Sequence, residues 1–304
     1  MTQIADPKVA VIGLGSMGLG IAGSLLRGGF DVAGFDPSPE PLEKFAGLGG
    51  RTAVSPGDAA AGANIVICVV VNAKQTDSAL FGLEGAASRM VSAGTILSCA
   101  TMSPDAARDF AARAAALGLG YLDAPISGGA VRAASGEMTV MASGAPDAFA
   151  HAKPVLDCIA AKVYDLGSDA GTGAAFKIVN QLLAGVHIAA ACEAITFARG
   201  MGLDITKVYE VITASAGNSW MFENRVPHIL DGDYTPRSAV DIFTKDLGIV
   251  SDIGRSMTLP TPIAATALQM FVMTAAAGMG RDDDASVARM LAGLAGLELP
   301  GTPA

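Results

Sequence analysis

The sequence predicts an α/β protein in two parts: an N-terminal doubly wound parallel sheet, then an all-α C-terminal domain, linked by a long helix. Three observations carry this. Short apolar runs alternate with helical patterns through residues 1–168. From 169 to 304 only helical periodicity follows. Between them, the stretch 174–199 has only Lys177, Glu193 and Arg199 as charged residues.

Residues 8–12, 31–35, 65–71, 95–98 and 121–123 read as strands, several of them nearly continuous Val and Ile. Strands covered on both faces by crossover helices have that composition. Ala-rich segments 16–27, 104–117 and 146–159 read as the intervening helices, and 139–142 and 162–166 complete the sheet. Strand–helix alternation of this kind defines a doubly wound sheet. The linking helix, about 174–199, has almost no polar face and is expected to be buried around most of its circumference. Helices are then expected at 205–213, 220–230, 238–256, 263–277 and 285–297, with a frayed tail over 299–304.

Composition excludes several roles. The 304 residues are 51% hydrophobic and 16% charged, enough to fill a sizeable core. Lys plus Arg number 20 against 29 Asp plus Glu, a net charge of −9. That balance repels phosphate backbones and anionic lipids, so no nucleic-acid or membrane partner is expected. The uncharged run between Arg255 and Arg281 is interrupted by Pro260, Pro262, Thr266, Gln269 and Thr274, and reads as a buried helix. The N-terminus shows no basic segment followed by an apolar one, so no signal peptide is read. Cys68, Cys99, Cys158 and Cys192 form no C-x-x-C pair and have no neighbouring histidines. No metal site is expected, and a cytoplasmic location is.

The first strand runs directly into Gly13-Leu14-Gly15-Ser16-Met17-Gly18 and a helix. The first glycine permits a tight turn, the second lets backbone N–H groups approach a pyrophosphate, and the third lets helix and strand pack closely. Asp36 closes the next strand, where a carboxylate accepts from a ribose 2′-OH and repels a 2′-phosphate. The residues after it, 37–39, include no arginine. A Rossmann-type domain binding NAD is the expectation.

Lys177 sits near the start of a helix with little polar surface to host it. Burial disfavours the ammonium form, which suits a general acid or base near neutral pH. Asn180 and Gln181, three and four residues on, share its helix face and can orient the amine or a substrate hydroxyl.

Four segments together resemble the β-hydroxyacid dehydrogenase family, which includes the 3-hydroxyisobutyrate dehydrogenases and tartronate semialdehyde reductases. They are 13–18, 123–129 (DAPISGG), 171–177 (GTGAAFK) and 245–252 (KDLGIVSD), and the resemblance extends over roughly 8–297. It implies that Lys177 moves the hydroxyl proton while a nicotinamide takes the hydride. It also implies that Ser127, Gly128 and Gly129 hold the substrate carboxylate, and that Val71, Asn72, Thr101 and Lys245 lie against the cofactor. Some family members carry Asn four residues after the lysine; here that position is Gln181, with Asn180 before it. Segments 69–73, 180–190, 216–228, 230–236 and 238–243 are similar to the L-threonate dehydrogenase subgroup. Asn218, Ser219 and Asn224 are polar enough to read extra hydroxyls or, equally, to cap helices.

The remaining polar residues read as structural. His187 is expected in the core, Trp220 in packing, Arg132 on a surface loop, and Asp282-Asp283-Asp284 at a helix N-terminus. The sum is an NAD-dependent hydroxyacid dehydrogenase acting on a small hydroxy acid, with a substrate cleft between the domains. The apolar linking helix points to a homo-dimer or homo-tetramer.

Overall fold

The computed structural model describes residues 7–301. The first six residues and the last three, which include the end of the tail expected to fray, lie outside the described residues. The chain forms two compact units, Met1–Lys177 and Ile178–Ala304, which divide within the long helix.

The first unit begins with β1 (Val9–Ile12), α1 (Ser16–Arg27), β2 (Val32–Phe35), α2 (Pro39–Gly47), β3 (Arg51–Thr52), α3 (Pro56–Ala59), β4 (Ile65–Cys68) and α4 (Ala73–Phe81). It continues with β5 (Thr95–Ser98), α5 (Pro104–Ala116), β6 (Gly120–Asp123), β7 (Ile126–Ser127), α6 (Gly129–Ser135), β8 (Met138–Gly144), α7 (Pro146–Ile159) and β9 (Ala160–Asp165). The strands lie in the order β3-β2-β1-β4-β5-β6-β8-β7, with β9 paired to β8. From β3 to β6 every neighbour is parallel; β8 runs antiparallel to β6 and β7. This is the doubly wound sheet the sequence predicts, and its order reverses between β1 and β4. Ligands bind such sheets at the strand C-termini beside that reversal.

Every residue of β1, β4 and β5 is buried, because helices cover both faces. Val11, Ile67 and Leu97 pack on one side of the sheet, and Ala10, Val66 and Ile96 on the other. Each such Val, Leu or Ile side chain contributes about 1.5–3 kcal/mol by leaving water. The strand expected over 65–71 stops at Cys68. Beyond it Val71 is 45% exposed, and its N–H donates to Gln75 Oε1 instead of to a neighbouring strand.

The helix α8 (Thr172–Gly200) leaves the first unit and enters the second. There follow α9 (Ile205–Thr213), α10 (Trp220–Asp231), α11 (Val240–Ser256), α12 (Pro262–Thr274) and α13 (Val287–Leu294). Ile188, Cys192 and Ile195 of α8 join Val226, Phe243, Leu247 and Phe271 in the core of this unit. Phe243 and Phe271 stack with centroids 5.2 Å apart.

Four expectations for this half are corrected. Helix α8 is not buried around most of its circumference: Val179, Leu183 and Phe197 are exposed. The helix expected over 263–277 gives way after Thr274 to a π-helical turn, Ala275–Met279, in which Gly278 takes φ +89°. That stretch is buried on one side only, through Ala264, Ala267 and Phe271, while Ile263, Val272 and Met273 are exposed. Both α8 and 262–279 are long and apolar enough to cross a membrane by length and composition. The tail is packed at its start, with Leu299 buried and Tyr234 donating to the carbonyl of Pro300.

Candidate active site

The glycine loop joins β1 to α1 at the C-terminal edge of the sheet. Gly13 has φ +90°, and a Cβ there would meet the Val69 carbonyl oxygen at 2.6 Å. A Cβ on Gly18 would lie 1.8 Å from the Gly13 carbonyl oxygen, so helix and loop approach as closely as backbones allow. Gly15 faces open space, with nothing within 4 Å of a built Cβ. It also N-caps α1 without a side-chain hydrogen bond. The first N–H groups of a helix need external acceptors, and an anion satisfies them. These residues therefore fit a dinucleotide pyrophosphate.

Asp36 follows β2 and ties the loop together. Its Oδ2 accepts from Leu14 N–H at 2.8 Å and its Oδ1 from Ser38 N–H at 2.9 Å. Leu14 itself points into the core and Met17 packs against it, while Ser16 is exposed. After β4, Asn72 caps α4 by accepting from Gln75 N–H at 2.9 Å. Half-buried Thr101 follows β5. The residues expected at the cofactor in this unit thus lie at consecutive C-terminal strand ends of one parallel sheet.

The same edge anchors the start of α8. Asp123, at the end of β6 and 1% exposed, accepts through Oδ2 from Gly171 N–H at 3.0 Å and Ala174 N–H at 2.7 Å. Ser143 Oγ accepts from Gly173 N–H at 3.0 Å. Burial raises the Asp123 carboxyl to about 6, although both N–H groups and Arg108 work against that rise. Lys177, in the second turn of this anchored helix, is 8% exposed. Ser127 ends β7, and Gly128 and Gly129 follow with φ of +136° and +75°, opening α6. Only glycine enters those conformations without strain.

In the second unit, Asn180 Nδ2 donates to Gln181 Oε1 at 3.0 Å, and Gln181 Nε2 donates to Asp246 Oδ2 at 2.6 Å. Lys245 Nζ lies 2.5 Å from the other oxygen, Oδ1. Sequence reasoning singled out Asn180, Gln181 and Lys245 but missed Asp246. The available signal was the adjacent Lys245-Asp246 pair on a helix with an otherwise apolar inner face.

Other expected roles change. Ser219 caps α10 by accepting from Phe222 N–H at 3.1 Å, and Asn218 donates to the Thr213 carbonyl and to Glu223. Asn224 accepts from Arg225. The capping reading holds for Ser219, and all three polar side chains are engaged locally. Trp220 is 51% exposed, so it is not a packing residue. His187 is half-buried and lines an apolar groove of about 820 Å³ with Phe197, Met201, Val211 and Phe222, not the core. Arg132 is exposed as expected, but it lies on helix α6 and not on a loop.

The Asp282-Asp283-Asp284 cluster does more than favour a helix start. Asp284 is fully buried against Arg225, with N···O distances of 2.6 and 3.2 Å, and burial raises its carboxyl to about 6. Asp283 caps the turn that leads into α13 and contacts His228 Nδ1 at 2.8 Å. Arg237 reaches His228 Nε2 at 2.7 Å. A guanidinium only donates, so Nε2 accepts and the ring proton sits on Nδ1, toward Asp283. Among the described residues no group of three His, Cys, Asp or Glu could hold a metal ion.

A glycine loop fitted to a dinucleotide and a buried lysine on an anchored helix define an NAD(P)-dependent oxidoreductase. Residues 8–167 match the family described as the NAD binding domain of 6-phosphogluconate dehydrogenase. Residues 171–291 match the NAD-binding family of NADP-dependent 3-hydroxyisobutyrate dehydrogenase. The chain is 53% identical to an L-threonate dehydrogenase from Cupriavidus necator, over 97% of this chain and 98% of that protein. It is 47% identical to one from Pectobacterium atrosepticum, over 97% of each. A crystal structure of 3-hydroxyisobutyrate dehydrogenase from Salmonella typhimurium is 47% identical, with TM-score 0.90, covering 94% of this chain and all of that one. The chain belongs to the β-hydroxyacid dehydrogenase family of 3-hydroxyisobutyrate dehydrogenase-like enzymes, and it is a hydroxyacid dehydrogenase using NAD(P).

Proposed function

We propose that the chain oxidises L-threonate with NAD, giving 2-dehydro-L-erythronate, NADH and a proton. The observation that carries this reading is a set of five relatives named L-threonate dehydrogenase, between 45% and 53% identical across nearly the whole chain.

When bound, the dinucleotide supplies a hydride acceptor. The chain's own residues do the rest. Lys177 Nζ takes the hydroxyl proton as the C–H bond breaks, a role worth about 10²–10⁴ in rate. Ser127, Gly128 and Gly129 hold the substrate carboxylate through N–H groups and a hydroxyl. Asn180 and Gln181 orient a substrate hydroxyl on the lysine's face of α8. Gly13 to Gly18 hold the pyrophosphate, and Val71, Asn72, Thr101 and Lys245 flank the cofactor. Asp36 favours NAD over NADP, because its carboxylate repels a 2′-phosphate and residues 37–39 offer no arginine.

The Salmonella structure named for 3-hydroxyisobutyrate favours a second reading, a substrate with a single hydroxyl. Initial rates of NADH formation with L-threonate, D-threonate, 3-hydroxyisobutyrate and D-glycerate, repeated with NADP, separate the two. Highest kcat/KM for L-threonate with NAD is expected. Preference for 3-hydroxyisobutyrate keeps the lysine chemistry and overturns the substrate.

We place the enzyme in the cytoplasm as a homo-dimer or homo-tetramer. Support comes from four cysteines that are all free thiols and from the apolar groove beside exposed Phe197, Met201 and Val211. Sedimentation at micromolar concentration should give at least a dimer; a monomer contradicts this.

A further inference from the structure

In the second unit a single charge dictates the direction of a run of polar groups. Asp246, on α11, is 1% exposed. Its Oδ2 receives Gln181 Nε2, while Lys245 Nζ stands beside Oδ1 as an ion pair without hydrogen-bond alignment. An ionised carboxylate only accepts, so Gln181 must turn its NH₂ group toward Asp246. The carbonyl end of that amide is then what faces Asn180, which must donate through Nδ2. With its nitrogen so committed, Asn180 offers Oδ1 to a hydroxyl. Gln181 is 7% exposed, whereas Asn180 is only half-buried and stands one helical turn after Lys177.

We propose that Asp246 is a positioning residue: it fixes the Gln181 amide, and through it Asn180, so that Asn180 Oδ1 accepts from a substrate hydroxyl on the Lys177 face of α8. The inference rests on the dehydrogenase reading above. It assigns substrate contact to Asn180 and makes Gln181 the relay. Asparagine at 246 can donate as well as accept, so Asp246→Asn releases the constraint and lets both amides reverse.

The test is a double-mutant cycle on the full chain, with kcat and KM for L-threonate and NADH affinity measured for each protein. Asp246→Asn and Asn180→Ala should each lower kcat/KM about tenfold or more, and the double variant no further than the worse single one. Losses that multiply, or Asp246→Asn at the wild-type rate, overturn the proposal. Gln181→Met covers a poorly folded Asp246→Asn, because it cuts the relay and keeps the Lys245–Asp246 pair. It should lose kcat/KM by the same factor with NADH affinity retained; wild-type kcat/KM in that variant also overturns the proposal. Lys177→Ala serves as the control. Full activity there brings down the dehydrogenase reading itself, whereas an inactive control with multiplying losses overturns the positioning role alone.

Discussion

The glycine loop of the first unit and the polar network of the second carry out comparable positioning by opposite means. The loop is local: Gly13, Gly18 and Asp36 act within one β-α-β stretch, and the bond from Leu14 to Asp36 closes it. The network is assembled from afar, since Gln181 meets Asp246 and Arg225 meets Asp284 across long sequence separations. Local sites depend on backbone conformation and close approach. Distant ones depend on buried charge being paired, and a lesion there should reach the whole unit.

Arg225→Met should give the largest effect. It strands a fully buried Asp284 carboxylate, and losing one partner of a buried pair costs about 3–5 kcal/mol. Denaturant unfolding should show that loss while the folded fraction keeps its NADH affinity. A fall in NADH affinity with stability unchanged would blur the contrast between the two regions.

Gly18→Ala is the matching local lesion. Its Cβ would lie 1.8 Å from the Gly13 carbonyl oxygen, an overpacking of a kind that costs about 1–3 kcal/mol and sometimes more. Here NADH affinity should fall with stability, because the same backbone holds the pyrophosphate. Unchanged NADH binding would remove the loop from the cofactor site.

Asp123→Asn sharpens the comparison through pH. The folded carboxyl titrates near 6, above its unfolded value of 3.8, so its contribution to stability is full below the unfolded value and is lost as pH rises through about 6. The asparagine amide keeps an acceptor for Ala174 N–H and has no such dependence. Relative to wild type, the variant should gain about 2–3 kcal/mol between pH 4 and 7 by pH-dependent unfolding. A constant difference across that range would contradict the burial argument.

Asp36→Ala should have the smallest effect, shifting the NAD/NADP ratio of kcat/KM about tenfold toward NADP, with about 1–2 kcal/mol of stability lost from the Leu14 and Ser38 N–H groups that it deprives of an acceptor. An unchanged ratio would take discrimination away from that carboxylate.

What the sequence made legible follows the same division. Strands β1 and β4 were readable because burial on both faces leaves an unbroken apolar run. Gly13 to Gly18 was readable because backbone constraints leave glycines at set places. Helices α2, α3, α4 and α6 were not anticipated; they are short, and α3 and α4 are set by the caps Ser55 and Asn72 more than by an apolar face. The placement of Trp220 and His187 failed for another reason. Residue type favours burial, but only tertiary packing decides which face of α8 or α10 is covered. Asp246 escaped because its meaning lies in Gln181, which no periodicity connects to it.

The central claim is that Lys177 moves the substrate proton while the glycine loop only holds the dinucleotide. The most direct test measures NADH dissociation and L-threonate turnover on one preparation of Lys177→Ala. Wild-type NADH affinity with kcat reduced at least about a hundredfold is expected. Turnover near the wild-type rate, at the same NADH affinity, would contradict it.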